Sequence, residues 1–219
     1  MNKVIATTIA AFLVAQVASA LSTSVDFASA YVFRGAEVNE GFVVQPGVEG
    51  EVAGLTVGVW ANIDIDNVGA DQVSEIDLYL AKDLGSVAGW DVSAGYCEYT
   101  YPGSTGDGES ELSLSASGAV GGVDLSVSAF ADIAETSTPG YYEASTGGST
   151  AVAGVALDYG IAVGYFDTDA DASTGFGYAA YSVSYETGGG TLSATYIDGL
   201  DDDVVTVDTS VVLAYGISL

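Results

Sequence analysis

The sequence predicts an all-β protein, a single antiparallel up-and-down transmembrane β-barrel of about 12 strands. Three observations carry that prediction. First, segments of roughly ten residues alternate apolar and polar side chains, the spacing of a membrane strand. The last segment shows it best: Val205, Val207, Val211, Leu213, Tyr215, Ile217 and Leu219 share one parity, with Asp208, Ser210, Ala214, Gly216 and Ser218 on the other. Successive strand side chains point to opposite faces, so each segment offers one face to oil and one to water. Second, the connections alternate, short and glycine-marked and then long and acidic. Third, 30 acidic residues and a net charge of −27 coexist with a mean hydropathy of +0.38. That combination suits acids in loops and lumen and apolar side chains against lipid.

Residues 1–20 are predicted as a signal peptide. Lys3 gives the positive start, Val4 to Val17 the apolar stretch and Ala18-Ser19-Ala20 a small-residue cleavage site. Cleavage before Leu21 leaves residues 21–219 as the barrel domain, with Arg34 and Lys82 against all 30 acids. Such a charge excludes nucleic acid as a partner and favours cations. The single cysteine, Cys97, excludes an intrachain disulfide.

Counting parity along the chain, the strands are expected at 23–34, 41–51, 54–64, 73–83, 89–99, 110–119, 122–133, 149–159, 160–167, 176–186, 190–198 and 204–218. Short connections follow the even strands, around Ala53-Gly54, Gly85 to Gly89, Gly121-Gly122, Tyr159-Gly160 and Gly188 to Gly190. Glycine supplies the positive φ that tight hairpins need. Longer connections follow the odd strands and carry Glu37 and Glu40, Asp66 and Asp71, Asp107 and Glu109, Glu135 and Glu143, Asp169 and Asp171, and Asp201 to Asp203. Short turns at one end and long loops at the other are the outer-membrane arrangement, and an even strand count puts both termini at the short-turn end.

Charge separates the two faces. The apolar parity includes Phe27, Tyr31, Phe33, Phe42, Leu78, Leu80, Leu112, Leu114, Val127, Ile161 and Val183, with Lys82 and Glu98 as its charges, both at segment ends. A Lys or Arg at the bilayer midplane of that face would cost roughly 2–4 kcal/mol. Aromatic residues gather at its two ends: Trp90, Tyr159, Tyr185 and Tyr215 near the short turns, and Tyr31, Phe33, Phe42, Tyr96, Tyr165 and Tyr196 near the long loops. Those are the two membrane interfaces. The opposite parity is predicted to line the lumen with Asp26, Arg34, Glu49, Glu75, Asp77, Asp91, Glu111, Asp124, Asp132, Asp158, Glu186 and Asp208. Between these lie mostly Gly, Ser and Ala. Arg34 is expected to pair with Asp26 or Glu49 and hold the barrel interior, or else to line a constriction.

The stretch Ser24 to Gly35, SVDFASAYVFRG, resembles the opening strand of the TorF family of putative bacterial outer-membrane proteins, through Tyr31, Phe33, Arg34 and Gly35. The resemblance continues in GVWANID (58–64), EIDLYLA (75–81) and YCEYTYPG (96–103) and covers the N-terminal half. It implies a barrel in the bacterial cell outer membrane with no established activity. Two positions depart from the pattern: Ala30 stands where an acid is expected, and Leu219 where barrels usually carry an aromatic residue.

No histidine is present, which excludes Ser-His catalysis, and the protein is read as no enzyme. No cofactor is expected beyond weakly bound Ca²⁺. Asp167, Asp169 and Asp171 space oxygen ligands as a calcium loop does, although Ala172 and Tyr178 stand where an EF-hand needs Gly and Glu. Asp64 with Asp66, and Asp201 to Asp203, offer similar oxygen clusters.

Eight-stranded barrels fill with side chains and sixteen-stranded ones hold water; about twelve strands lie between. An acidic lumen of small residues points to a passive, cation-preferring, porin-like channel for small cationic or neutral solutes. Outer-membrane lipid and the barrel assembly machinery are the expected partners. The alternative is a non-conducting structural or surface barrel whose acidic loops bind divalent cations or partners. Tyr79, Tyr99, Trp60 and Phe130, all on the inward parity, favour that alternative.

Overall fold

Backbone amides and carbonyls in a bilayer must pair within the protein, and a sheet does this by closing on itself. In the computed structural model, which describes residues 21–67, 72–103, 108–133, 140–167, 174–205 and 209–219, the described residues form twelve such strands. They are β1 (Ser22–Phe33), β2 (Ala36–Val52), β3 (Leu55–Asp64), β4 (Val73–Val87), β5 (Trp90–Thr100), β6 (Glu109–Val120), β7 (Val123–Asp132), β8 (Tyr141–Val152), β9 (Val155–Phe166), β10 (Gly175–Thr187), β11 (Gly190–Gly199) and β12 (Ser210–Ser218). Each pairs antiparallel with its sequence neighbours, and β1 closes the barrel on β12 from Ser24↔Ser218 to Ala28↔Ala214. The predicted signal peptide lies outside the described residues.

Four tight turns repeat one solution. Ala53-Gly54, Ala88-Gly89, Gly121-Gly122 and Ala153-Gly154 all have positive φ at both positions, between 53° and 86°. That is the two-residue hairpin whose twist matches the strands it joins. The third such Ala-Gly pair corrects the expected strand boundaries. β8 begins at Tyr141, its turn is Ala153-Gly154 rather than Tyr159-Gly160, and Glu143 is a strand residue instead of a loop acid. The Val-Ala-Gly tripeptide at 52–54, 87–89 and 152–154 is the sequence signal that marks this turn.

The outer face is the apolar parity. Leu112, Leu114, Val127, Ile161, Val183, Leu192, Val211 and Leu213 are exposed on it, as a lipid-facing wall requires. An aromatic row rings its long-loop end, with Tyr142 against Tyr165 at 6.3 Å, Tyr165 against Phe176 at 5.2 Å and Tyr181 against Tyr196 at 6.2 Å.

The first hairpin departs from the expectation. A long acidic loop after β1 is absent. β2 starts at Ala36, so Glu37 and Glu40 are strand residues, and Arg34-Gly35 forms another two-residue turn with φ of 48° and 82°. The β1–β2 register shifts between Ala28 and Ala30, where Ser29 faces Gly41 and Phe42. Such a bulge inverts the side-chain parity beyond it. Gly41 takes φ +87°, and the Phe42 amide donates to Asp66 Oδ2 at 2.8 Å, which fixes the bulge.

Beyond this point β1 no longer pairs with β12; the Leu213 amide donates instead to Ser29 Oγ at 3.0 Å. Tyr31 and Phe33 therefore leave the predicted lipid face and turn into the barrel, where Tyr31 is 8% exposed. β12 also begins later than expected, at Ser210. Val205 is buried in the preceding turn, packed with Tyr178, Tyr141 and Ile197.

Candidate functional site

The candidate site is the lumen, and its two ends differ. At the short-turn end the inward residues are small or acidic. A cavity of about 380 Å³ is lined there by Asp26, Glu186, Thr191, Ser193, Gly216 and Ser218. Thr191 donates to Glu186 at 2.7 Å, and Ser86 and Ser149 donate to Asp91 and Asp158. Adjacent hydroxyls thus hold the carboxylates to the wall rather than letting them span the space.

Midway, Tyr79 folds over Gly58, where no side chain would fit, and its hydroxyl donates to Glu49 at 3.0 Å. Glu75 (3% exposed) and Asp77 project from β4, and Asp77 Oδ1 is buried without a hydrogen-bond partner. Tyr31 hydrogen-bonds to Glu75 and lies 5.4 Å from the Trp60 ring. Beside them, Asn62 (0% exposed) donates to Asn39 at 2.6 Å and to Ser74 at 2.8 Å, and accepts from Gln45 at 2.9 Å. This network ties β2, β3 and β4 together. A fully buried amide needs such partners.

At the long-loop end the tip of the first hairpin turns into the lumen. Arg34 crosses the lumen and gives both Nη atoms to Glu111 on β6, each at 2.7 Å. The expected partners Asp26 and Glu49 are therefore not used. Those acids lie toward the opposite end, and the parity shift at Ser29 aims the hairpin tip at the facing wall. The guanidinium carbon lies 4.2 Å from the Tyr141 ring, 4.4 Å from Phe130 and 4.7 Å from Phe33. Tyr99 adds a hydroxyl to Glu111 at 3.2 Å.

Burial would lower the Arg34 pKa, but the hydrogen bonds and charge of Glu111 outweigh it and the net shift is upward. Gly35 presses on Tyr178, whose ring atoms Cδ1 and Cγ lie 2.7 and 2.8 Å from where a Cβ would stand. The Tyr141 and Tyr178 hydroxyls each reach Glu143 at 2.9 Å.

Of the predicted lumen residues, Asp124 lies on β7 opposite Gly147, and Asp132 stands beside Glu111 across the β6–β7 pair. Asp208 lies outside the described residues, as do Asp169 and Asp171 of the expected calcium loop. Asp167 is described, and its backbone amide donates to the Gly140 carbonyl at 2.9 Å. Asp64 and Asp66, read as oxygen donors for a cation, accept backbone and Asn39 hydrogens here. Sequence reasoning missed Tyr31, Phe33, Tyr141, Glu143 and Tyr178. The signal for the first two was Gly41, a glycine inside a strand pattern, which marks a bulge.

Outer-membrane barrels share this architecture. Outer membrane phospholipase A from Escherichia coli is 16% identical, with 91% of each chain covered and a TM-score of 0.51. The NanC porin is 11% identical, with 91% of this chain and 99% of the porin covered and a TM-score of 0.52. At such identities the likeness shows the fold. No curated protein matches the chain by sequence. The model of a bacterial family described as of unknown function, Gcw_chp, matches residues 14–209.

Proposed function

For a chain that belongs to the bacterial Gcw_chp family, we propose the function of a passive, cation-preferring channel of the outer membrane, closed in this conformation by the Arg34 hairpin. One observation carries the reading. The lumen wall is acidic along its length, and its one inward base is already neutralised by Glu111. A permeating cation therefore meets uncompensated carboxylates such as Asp26, Asp124 and Glu186, whereas an anion meets repulsion. Neutral solutes small enough for the open end are compatible with it. The reading includes outer-membrane lipid around the barrel, assembly by the barrel machinery, export by a cleaved signal, no enzymatic activity, and the TorF likeness of Ser24 to Gly35.

Planar-bilayer recording tests it. The wild-type protein is expected to conduct rarely and in small steps, and Arg34→Gly to conduct often, with a reversal potential on the cation side in a salt gradient. An anion-side potential, or silence of both proteins, would defeat the reading.

The aromatic filling of the long-loop end favours a second reading, a non-conducting barrel whose acidic loops bind divalent cations or partners. Silence of both proteins together with calorimetric heat on adding Ca²⁺ supports it. Absence of heat up to about 10 mM, a range in which even weak extracellular calcium modules saturate, removes it.

A further inference from the structure

Arg34 is held in the way a bound ligand is held, by one carboxylate and three aromatic rings. A planar guanidinium accepted in bidentate fashion by a carboxylate, with aromatic faces on its flanks, is the arrangement by which proteins recognise organic cations as ligands. Three of the elements here belong to the barrel wall rather than to the hairpin. Glu111 comes from β6, Phe130 from β7 and Tyr141 from β8, so they stay in place if the hairpin withdraws. Phe33, the third ring, leaves with the hairpin. The Tyr99 hydroxyl on Glu111 and the Glu143 contact to Tyr141 keep the carboxylate and the ring oriented without Arg34.

We propose that Glu111, Phe130 and Tyr141 form a binding site for the guanidinium group of a small solute, and that Arg34 is its intramolecular occupant when the channel is closed. The inference deepens the channel reading and rests on it for the route by which the solute arrives. A guanidinium is preferred over a simple ammonium because the fork matches both carboxylate oxygens, whereas an ammonium is a point charge that needs no planar slot. Solute and hairpin compete for one carboxylate. The cation that enters from the loop side would therefore displace Arg34 and open its own path.

The decisive experiment measures binding and conductance separately. Methylguanidinium is titrated by calorimetry into the detergent-folded wild type, Arg34→Gly and Arg34→Gly/Glu111→Gln, with methylammonium as the comparison ligand. Arg34 already has φ +48°, a conformation glycine takes freely, so the turn survives the substitution; Arg34→Gln, which removes the charge but keeps much of the stem, is the second empty-site variant.

Expected is a dissociation constant of about 1 mM in the empty-site variants, within the per-atom ceiling for so small a ligand. It should weaken about tenfold or more in the wild type and in the Glu111 variant, and for methylammonium. Equal affinity in all proteins, no binding to either empty-site variant, or equal affinity for methylammonium would overturn the site. Conductance without methylguanidinium binding sinks this inference alone, and binding without conductance sinks the channel reading while leaving the site.

Discussion

Arg34 and Glu111 meet from nearly opposite walls of the barrel, five strands apart, with both nitrogen–oxygen distances at 2.7 Å. Neither residue is deeply exposed, at 18% and 12%, so water screens the pair weakly. Hydrogen bonds to charged groups contribute about 1.5–3 kcal/mol each. Arg34→Gln and Glu111→Gln are each expected to destabilise the protein by about 2 kcal/mol, and the double variant by little more than the worse single. Urea unfolding in lipid vesicles measures all three. Additive losses would show that the two side chains do not act as a pair.

The backbone that carries Arg34 gives a second prediction. Gly35 and Gly54 both occupy left-handed turns, with φ of 82° and 74°. A Cβ at Gly54 would meet nothing within 4 Å, whereas one at Gly35 would strike the Tyr178 ring. Left-handed strain alone is about 1–2 kcal/mol for an ordinary residue. Gly54→Ala should lose about that much, and Gly35→Ala distinctly more, because the hairpin tip must lift off Tyr178. Equal losses in vesicle unfolding would mean the tip is not seated there. Gly35→Ala is also expected to raise conductance, which Gly54→Ala should leave alone.

How far the sequence reveals this arrangement depends on the range of the forces involved. The barrel itself is legible because alternation is local: each of Leu112, Leu114 and Ser113, Ser115 declares its face from its neighbours. Lumen acids such as Asp26, Glu49 and Glu186 follow from the same parity. What escapes is anything that breaks the period. A bulge at Ser29 opposite Gly41 and Phe42 reverses Tyr31 and Phe33, and parity counting continued through it reads both as lipid-facing. The Arg34–Glu111 pair spans 77 residues, so no window of sequence contains it. β8 escapes for a different reason: Tyr141 to Gly148 alternates weakly, since its outward positions hold Ala144, Thr146 and Gly148.

The two faces of β6 permit a direct contrast. Leu114 is 54% exposed on the lipid side, and its neighbour Ser115 faces the lumen, hydrogen-bonded to Ser128 at 2.8 Å. Leu114→Arg is expected to lose about 2–4 kcal/mol, the penalty for a midplane cation in lipid. Ser115→Arg should lose far less, because lumen water and nearby acids solvate the charge, but it should shift the reversal potential away from cations. Comparable destabilisation of the two variants would contradict the assignment of faces.

Cys97 supplies a native reporter of the closed end. It is unpaired, sits on the lumen parity of β5, and lies opposite Glu111 on β6 and Tyr79 on β4. On the channel reading the Arg34 hairpin shields it from the loop side in the wild type, so a water-soluble methanethiosulfonate should react slowly. Opening the hairpin with Arg34→Gly should speed the reaction by about tenfold, and a cationic reagent should outrun an anionic one by a similar factor, since an acidic cleft concentrates cations by 10–10³-fold. Mass spectrometry of timed samples reads both ratios. The factor for charge tests the acidic lumen and the factor for Arg34→Gly tests the latch, so the two can fail independently. Labelling at one rate by both reagents would remove the electrostatic argument for cation passage. Unchanged rates in Arg34→Gly would mean that something other than the hairpin limits access to Cys97.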